Sequence, residues 1–159
     1  MKKLFVLILF LFFLLFFQEA EAIDISAIGG WTQTISASNL ISGAGSDLNP
    51  TYTSVANASA ITITNCKNKN DNWRVDVRRV DTNWHANFTL QAQRASAGTG
   101  AGAISGGTTF INIGTIDMTF FSGSGDRSGI NCQYRLTGMS ISIDPGTYST
   151  TVIYTLVDI

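Results

Sequence analysis

The sequence predicts an all-β protein: an antiparallel β-sandwich of roughly seven to nine short strands behind an export signal. Three observations carry this. Apolar and polar residues alternate along most of the chain after residue 22, most clearly from Tyr148 to Leu156. There Tyr148, Thr150, Val152, Tyr154 and Leu156 fall on one face and Ser149, Thr151, Ile153 and Thr155 on the other, the period of two that a strand requires. Stretches rich in glycine, serine and asparagine interrupt the alternation at short intervals, as turns do. Charged helix formers are nearly missing, since beyond residue 22 there is no glutamate and Lys67 and Lys69 are the only lysines.

The export signal is read from the first residues. Lys2 and Lys3 precede an unbroken apolar run from Leu4 to Phe17, and small residues follow at Ala20 and Ala22. Charged start, apolar core and small-residue exit are the three parts of a secretory signal peptide over residues 1–22, with cleavage after Ala22. As a helix the run spans only about 21 Å, short of the roughly 30 Å hydrocarbon core that a retained anchor must cross. Residues 23–159 then form one domain, secreted, periplasmic or displayed on the cell surface. Lys2, Lys3, Glu19 and Glu21 leave with the signal in balanced pairs, so the formal charge stays at −1. A field that weak selects neither nucleic acid nor anionic lipid.

Export matters for the two cysteines, because thiols outside the cytoplasm meet an oxidising environment. Cys66 and Cys132 are expected to form a disulfide, which in the chain-entropy account would contribute roughly 4 kcal/mol. The alternative is two free thiols. With two cysteines and one histidine, no zinc site and no other cofactor is expected.

In chain order, Ile23–Ile28 is a short alternating arm ending at Gly29-Gly30, and Trp31–Ala37 reads as a strand. Ser42–Pro50 is a loop. Tyr52–Val55 is an edge strand and Ala60–Asn65 a stronger one, with Ile61 and Ile63 inward. Lys67–Asn72 is a polar turn into a strand from Trp73 to Val80 with Trp73, Val75 and Val77 on one face. Continuing that parity would bury Arg79 and expose Val80, so an early end near Arg78 or a bulge is expected. Phe88–Gln93 alternates again, Arg94–Thr108 is a glycine-rich mobile loop, and Thr109–Phe121 restores alternation until Ser122–Asp126 ends it. The last unit runs from Gly129 through Cys132 and Tyr134, turns at Asp144–Thr147 and closes on Tyr148–Leu156.

The order Cys66, Trp73, Cys132 resembles the bridged cysteines and packed indole of immunoglobulin-like domains, at the level of architecture. Pro145-Gly146-Thr147-Tyr148 running into Thr151–Leu156 resembles the terminal strand of bacterial surface sandwich families, the spore-coat-U and pilin-like subunits and the WxL cell-wall proteins. The nearest approach to a Trp-x-Leu motif is Trp73-Arg74-Val75, without a second copy. The pilin-like resemblance implies a sandwich completed by a neighbour's extended arm, and Ile23, Ile25 and Ile28 form a candidate arm. The same residues can instead fold back as the protein's own first strand, the expected outcome because short segments pair locally.

For binding, Trp84, with Trp31 and Tyr52, is a candidate aromatic platform for a glycan, Trp84 being the one placed in a polar turn. His85, the single histidine, is expected at the surface or capping a turn. The nine aspartates show no pairing pattern, and no serine sits in a Gly-x-Ser-x-Gly setting, so catalysis is not expected. Asn68, Asn70, Asp71 and Asn72 lack the glycine and the acidic twelfth residue of a calcium loop. The leading expectation is a non-enzymatic secreted or surface structural protein acting through protein contacts, with a carbohydrate- or cell-wall-binding module as the alternative.

Overall fold

The computed structural model describes residues 22–159, so the expected signal peptide, Ala22 apart, lies outside the described residues. These residues form ten strands and a single 3-10 turn, with no helix long and apolar enough to cross a membrane. The strands are β1 (Asp24–Gly29), β2 (Thr51–Thr53), β3 (Ser59–Thr64), β4 (Asn72–Asn83) and β5 (Thr89–Arg94). They continue as β6 (Ile104–Ser105), β7 (Ile111–Asn112), β8 (Met118–Ser124), β9 (Arg127–Thr137) and β10 (Ser149–Asp158). Three of them, β2, β6 and β7, are only two or three residues long; β2 answers to the expected edge strand at Tyr52–Val55, and the total of ten stands just above the seven to nine expected.

The chain is an antiparallel β-sandwich. One sheet has the order β1-β3-β9-β5-β7, with β2 pairing to β9 beyond the end of β3; the other has the order β10-β4-β8-β6. Alternation explains which residues meet between the sheets. Ile61 and Ile63 of β3, Leu90 and Ala92 of β5, and Ile130, Cys132 and Tyr134 of β9 face Trp73, Val75 and Val77 of β4 and Phe120 and Phe121 of β8 in one buried cluster.

Trp31–Ala37, expected as a strand, is not one. Trp31 packs on the core, and the chain then leaves the sheet for the 3-10 turn Ala37–Asn39. Strand β4 does not end near Arg78, and its bulge comes later, at Thr82, the extra residue between Asp81 opposite Thr150 and Asn83 opposite Ser149. A second irregularity lies in its neighbour: Val75 opposes Phe121 and Asp76 opposes Thr119, so Phe120 is an extra residue of β8 and both phenylalanines turn inward. Arg79 does point inward, because its charge is provided for. Its Nε donates to the Ile113 carbonyl at 3.0 Å, its guanidinium lies 5.1 Å from the Trp84 ring centre, and Asp81 pairs with it. Val80 is correspondingly exposed.

The expected break at Ser122–Asp126 comes later, since Ser122, Gly123 and Ser124 continue β8. Gly123 is there for contact: a Cβ at this position would sit 2.5 Å from Cη2 of Trp73, so the strand passes over the buried indole only without a side chain.

Arg94–Thr108, expected to be mobile, is pinned to the sandwich. Arg94 and Arg127, both buried, donate to its carbonyls: Arg94 to Ser96 and Gly106, Arg127 to Ala97 and Gly102. Gly98, Gly100 and Gly102 bring the segment within van der Waals reach of the Ser124, Asp126 and Ser128 backbone, where a Cβ would collide. The glycines here serve close approach, a role that composition cannot distinguish from flexibility.

Candidate functional site: the open side between β1 and β10

Strand β10 is the edge of the four-stranded sheet and β1 the edge of the six-stranded one, and they lie alongside each other without backbone pairing. The ten residues of β10 have β4 as their only backbone partner among the described residues. The outer edge of β10 therefore carries backbone donors and acceptors that no strand pairs with among the described residues, although β1 lies near part of it. Natural edges are blunted by lysine, proline, shortness or bulges. This one has no lysine or proline, carries charge only at Asp158, and shifts register only at its start, between Ser149 and Thr150.

The core beneath that edge is open. Val152, Tyr154 and Leu156 point inward and pack on the core but stay half-buried, whereas Trp73, Val75 and Val77 on adjacent β4 are fully buried. From the other sheet Ile23 and Ile25 reach the same side, also half-buried. The arm of Ile23, Ile25 and Ile28 thus pairs in cis, β1 lying antiparallel on β3 from Asp24 opposite Thr64 to Gly29 opposite Ser59. Ile28 points to solvent and is 73% exposed.

A chain of hydroxyls ties this side together. The Ser59 Oγ and the Tyr134 hydroxyl are 2.7 Å apart, and the Tyr134 and Tyr154 hydroxyls 2.8 Å. The three residues come from β3, β9 and β10, so the chain crosses from one sheet to the other. Burial pushes both tyrosines above the ordinary phenol range. Beside them burial holds the Cys132 thiol up at about 11, which leaves it protonated and unreactive. The cluster is neutral and suited to fixing β10 in place.

The expected disulfide between Cys66 and Cys132 is absent, both cysteines being free. Cys132 is level with Ser59 in the register, and Cys66 lies seven positions further along the chain, past the end of β3. At about 3.3 Å per residue that places the two roughly 20 Å apart, against the 7 Å or less between Cα atoms that a bridge tolerates. Cys132 has the inward parity read from the sequence. Cys66, off the parity of Ile61 and Ile63, belongs to the next turn, where its N–H donates to Asp126 Oδ1 at 2.8 Å. Its thiol is pushed up to about 11 by desolvation first, then by Asp126.

The aromatic platform does not assemble. Trp84 is half-buried, not displayed: its Nε1–H donates to the Phe88 carbonyl at 3.1 Å, Phe88 meets it edge-on, and Arg79 covers a face. Its ring partners are residues of its own turn. Trp31 packs on the core, and Tyr52 is buried on β2 with a hydroxyl that finds no partner; neither joins a ring contact with Trp84 among the described residues. His85 caps the turn, its Nδ1 accepting from the Asn87 N–H at 3.2 Å, and its ring packs against Phe88 and Tyr148.

No protein-family model, curated protein or solved structure matches the chain. The site is therefore read from its geometry alone.

The polar turn satisfies itself. Asn68 Oδ1 accepts from the Asn70 N–H and Asp71 Oδ2 from the Lys67 N–H, and among the described residues no cluster of metal-ligating side chains forms. A shallow groove of about 320 Å³ runs beside the C-terminus between Asn72, Ile104, Ser122 and Ile159, with no titratable side chain in its lining. Sequence reasoning missed the two inward arginines, Arg94 and Arg127. Arg94 shares the visible parity of Leu90 and Ala92, whereas Arg127 is three residues from Ile130 and turns inward only because the register of β3 on β9 shifts between Ile61 and Ile63. An inward cation is expected only with a carboxylate, and here carbonyls take that part.

Proposed function

We propose that this protein is a non-catalytic structural or adhesive protein of the cell exterior, which associates with other protein chains by strand addition at β10. One observation carries the reading: a ten-residue edge without lysine or proline, over a core left half-open at Val152, Tyr154 and Leu156. A strand laid along it would satisfy the free backbone groups and take those three side chains out of water. The sequence adds β-branched and aromatic residues at Thr150–Tyr154, favourable for cross-strand pairs. A second copy of the chain is the simplest partner. With antiparallel pairing centred on Ile153, Thr151 would face Thr155 on the outer side and Val152 would face Tyr154 on the inner side, a self-complementary arrangement. The export signal read in the first residues supports a location for such assemblies outside the cytoplasm.

The test is concentration-dependent association by sedimentation velocity, in the wild type and in Thr151→Lys/Thr155→Lys. Both lysines point to solvent and leave the fold alone, yet they would oppose each other across the pairing. Association in the wild type and its loss in the variant are expected; equal behaviour of the two rejects the reading.

A further inference from the structure

The outward faces of the two sheets differ in chemistry. On the four-stranded sheet the outer face carries charges in ion pairs, Arg74 with Asp76 and Arg78 with Asp117. On the six-stranded sheet the outward positions of β2, β3, β5, β7 and β9 are almost all threonine, glutamine and asparagine, with Arg135 the one charge among them, and the edge strand β1 adds Asp24, Ser26 and the exposed Ile28. Solvent faces of antiparallel sheets are polar as a rule, but they usually mix charges of both signs for solubility. The cluster of amides and hydroxyls around a single cation on β2, β9, β5 and β7, away from Asp24 at the β1 edge, needs another explanation.

The register arranges these side chains in rows. Thr53, Arg135, Gln91 and Asn112 lie side by side across β2, β9, β5 and β7, and Gln133 and Gln93 form the next row. The amides are held in place: Gln91 Nε2 donates to Asn112 Oδ1 and Gln93 Nε2 to Gln133 Oε1, each at 2.8 Å. Arg135 is held differently. Its guanidinium stacks 3.7 Å from the centre of the Phe110 ring, and among the described residues it takes part in none of the ion pairs. Stacking fixes the plane of the guanidinium and leaves its N–H edge free, the preorganised fork that grips a carboxylate with two parallel hydrogen bonds.

We propose that this face binds an extended acidic polysaccharide, with a sugar carboxylate on Arg135 and sugar hydroxyls on the amides of Gln91, Gln93, Gln133 and Asn112. Its apolar side chains, Phe110 under Arg135 and Ile28 at the β1 edge, are isolated and do not form the apolar centre that anchors a protein partner. A single cation on a chain of net charge −1 does not provide the counter-charge that a nucleic acid requires. A flat, hydroxyl-matching surface with one carboxylate fork leaves a polyuronate as the fitting ligand. The site is separate from the β10 edge, so it stands whether or not the chain self-associates.

The experiment is titration calorimetry of the protein with galacturonate oligosaccharides, and with neutral glucose oligosaccharides of equal length. It is run on the wild type, on Arg135→Gln, and on Arg78→Gln of the opposite sheet. Binding of the acidic oligosaccharide, weakened about tenfold or more in Arg135→Gln and unchanged in Arg78→Gln, is expected. Absence of binding, equal binding of the neutral oligosaccharide, or wild-type affinity in Arg135→Gln would overturn it. Should Arg135→Gln not fold, amide-shift mapping on the wild type decides: perturbations centred on Gln91, Gln133 and Arg135 support the site, and perturbations elsewhere reject it.

Discussion

The hydroxyls of Tyr134 on β9 and Tyr154 on β10 lie 2.8 Å apart, a hydrogen bond that joins the central strand of one sheet to the edge strand of the other. Everything proposed for β10 depends on that strand being fixed in place while its outer edge stays free.

Tyr154→Phe removes the hydroxyl and keeps the ring, which stacks on Phe120. The expected loss is about 1–2 kcal/mol by urea denaturation, the range for a hydrogen bond between enclosed groups. Hydrogen exchange should rise in β10 before it rises in β4.

The thiols give a prediction with a sign. A group whose pKa is raised in the folded state adds stability that is complete below its unfolded pKa and fades as pH climbs to the folded one. For Cys132 that window runs from about 9 to about 11, and Tyr134 and Tyr154, whose hydroxyls desolvation also raises, act in the same direction above their ordinary phenol range. The melting temperature should hold steady to about pH 9 and then fall, less steeply in Cys132→Ala than in the wild type. Full alkylation of both cysteines in denaturant without reductant is expected; a requirement for reductant would restore the disulfide.

Gly123→Ala places a methyl against the Trp73 indole at 2.5 Å and against the Ala103 carbonyl at 2.7 Å. Overpacking of this kind costs about 1–3 kcal/mol, read as a lower urea midpoint at unchanged slope.

Arg127→Gln withdraws the donors that hold the Ala97 and Gly102 carbonyls. Hydrogen bonds from a charged donor are worth about 1.5–3 kcal/mol, and the expected signature is faster hydrogen exchange across residues 95–107 with little change in β4. Unchanged exchange there would show that the glycine contacts alone hold the segment.

Much of this was legible in the sequence because alternation encodes burial directly. The inward sets of β3, β4, β9 and β10 follow from parity, including Cys132 and Tyr134. What was not legible required knowing which strands are neighbours. Cys66 and Cys132 form a natural pair by count, and only the register of β3 on β9 separates them. Trp84 stands in a polar turn, but Phe88, four residues later, folds back beneath it. The arginine and glycine positions around residues 94–108 look like a flexible linker until the Ser124–Ser128 backbone is seen to lie against them. The glutamine rows around Arg135 exist only after four strands from distant parts of the chain are aligned.

The central claim is that the free edge of β10 is a pairing surface. Native mass spectrometry of the protein over residues 23–159 across a concentration series tests it most directly. The account predicts dimers or longer assemblies that revert to monomers in Thr151→Lys/Thr155→Lys. A wild-type protein that stays monomeric at the highest concentration would contradict it.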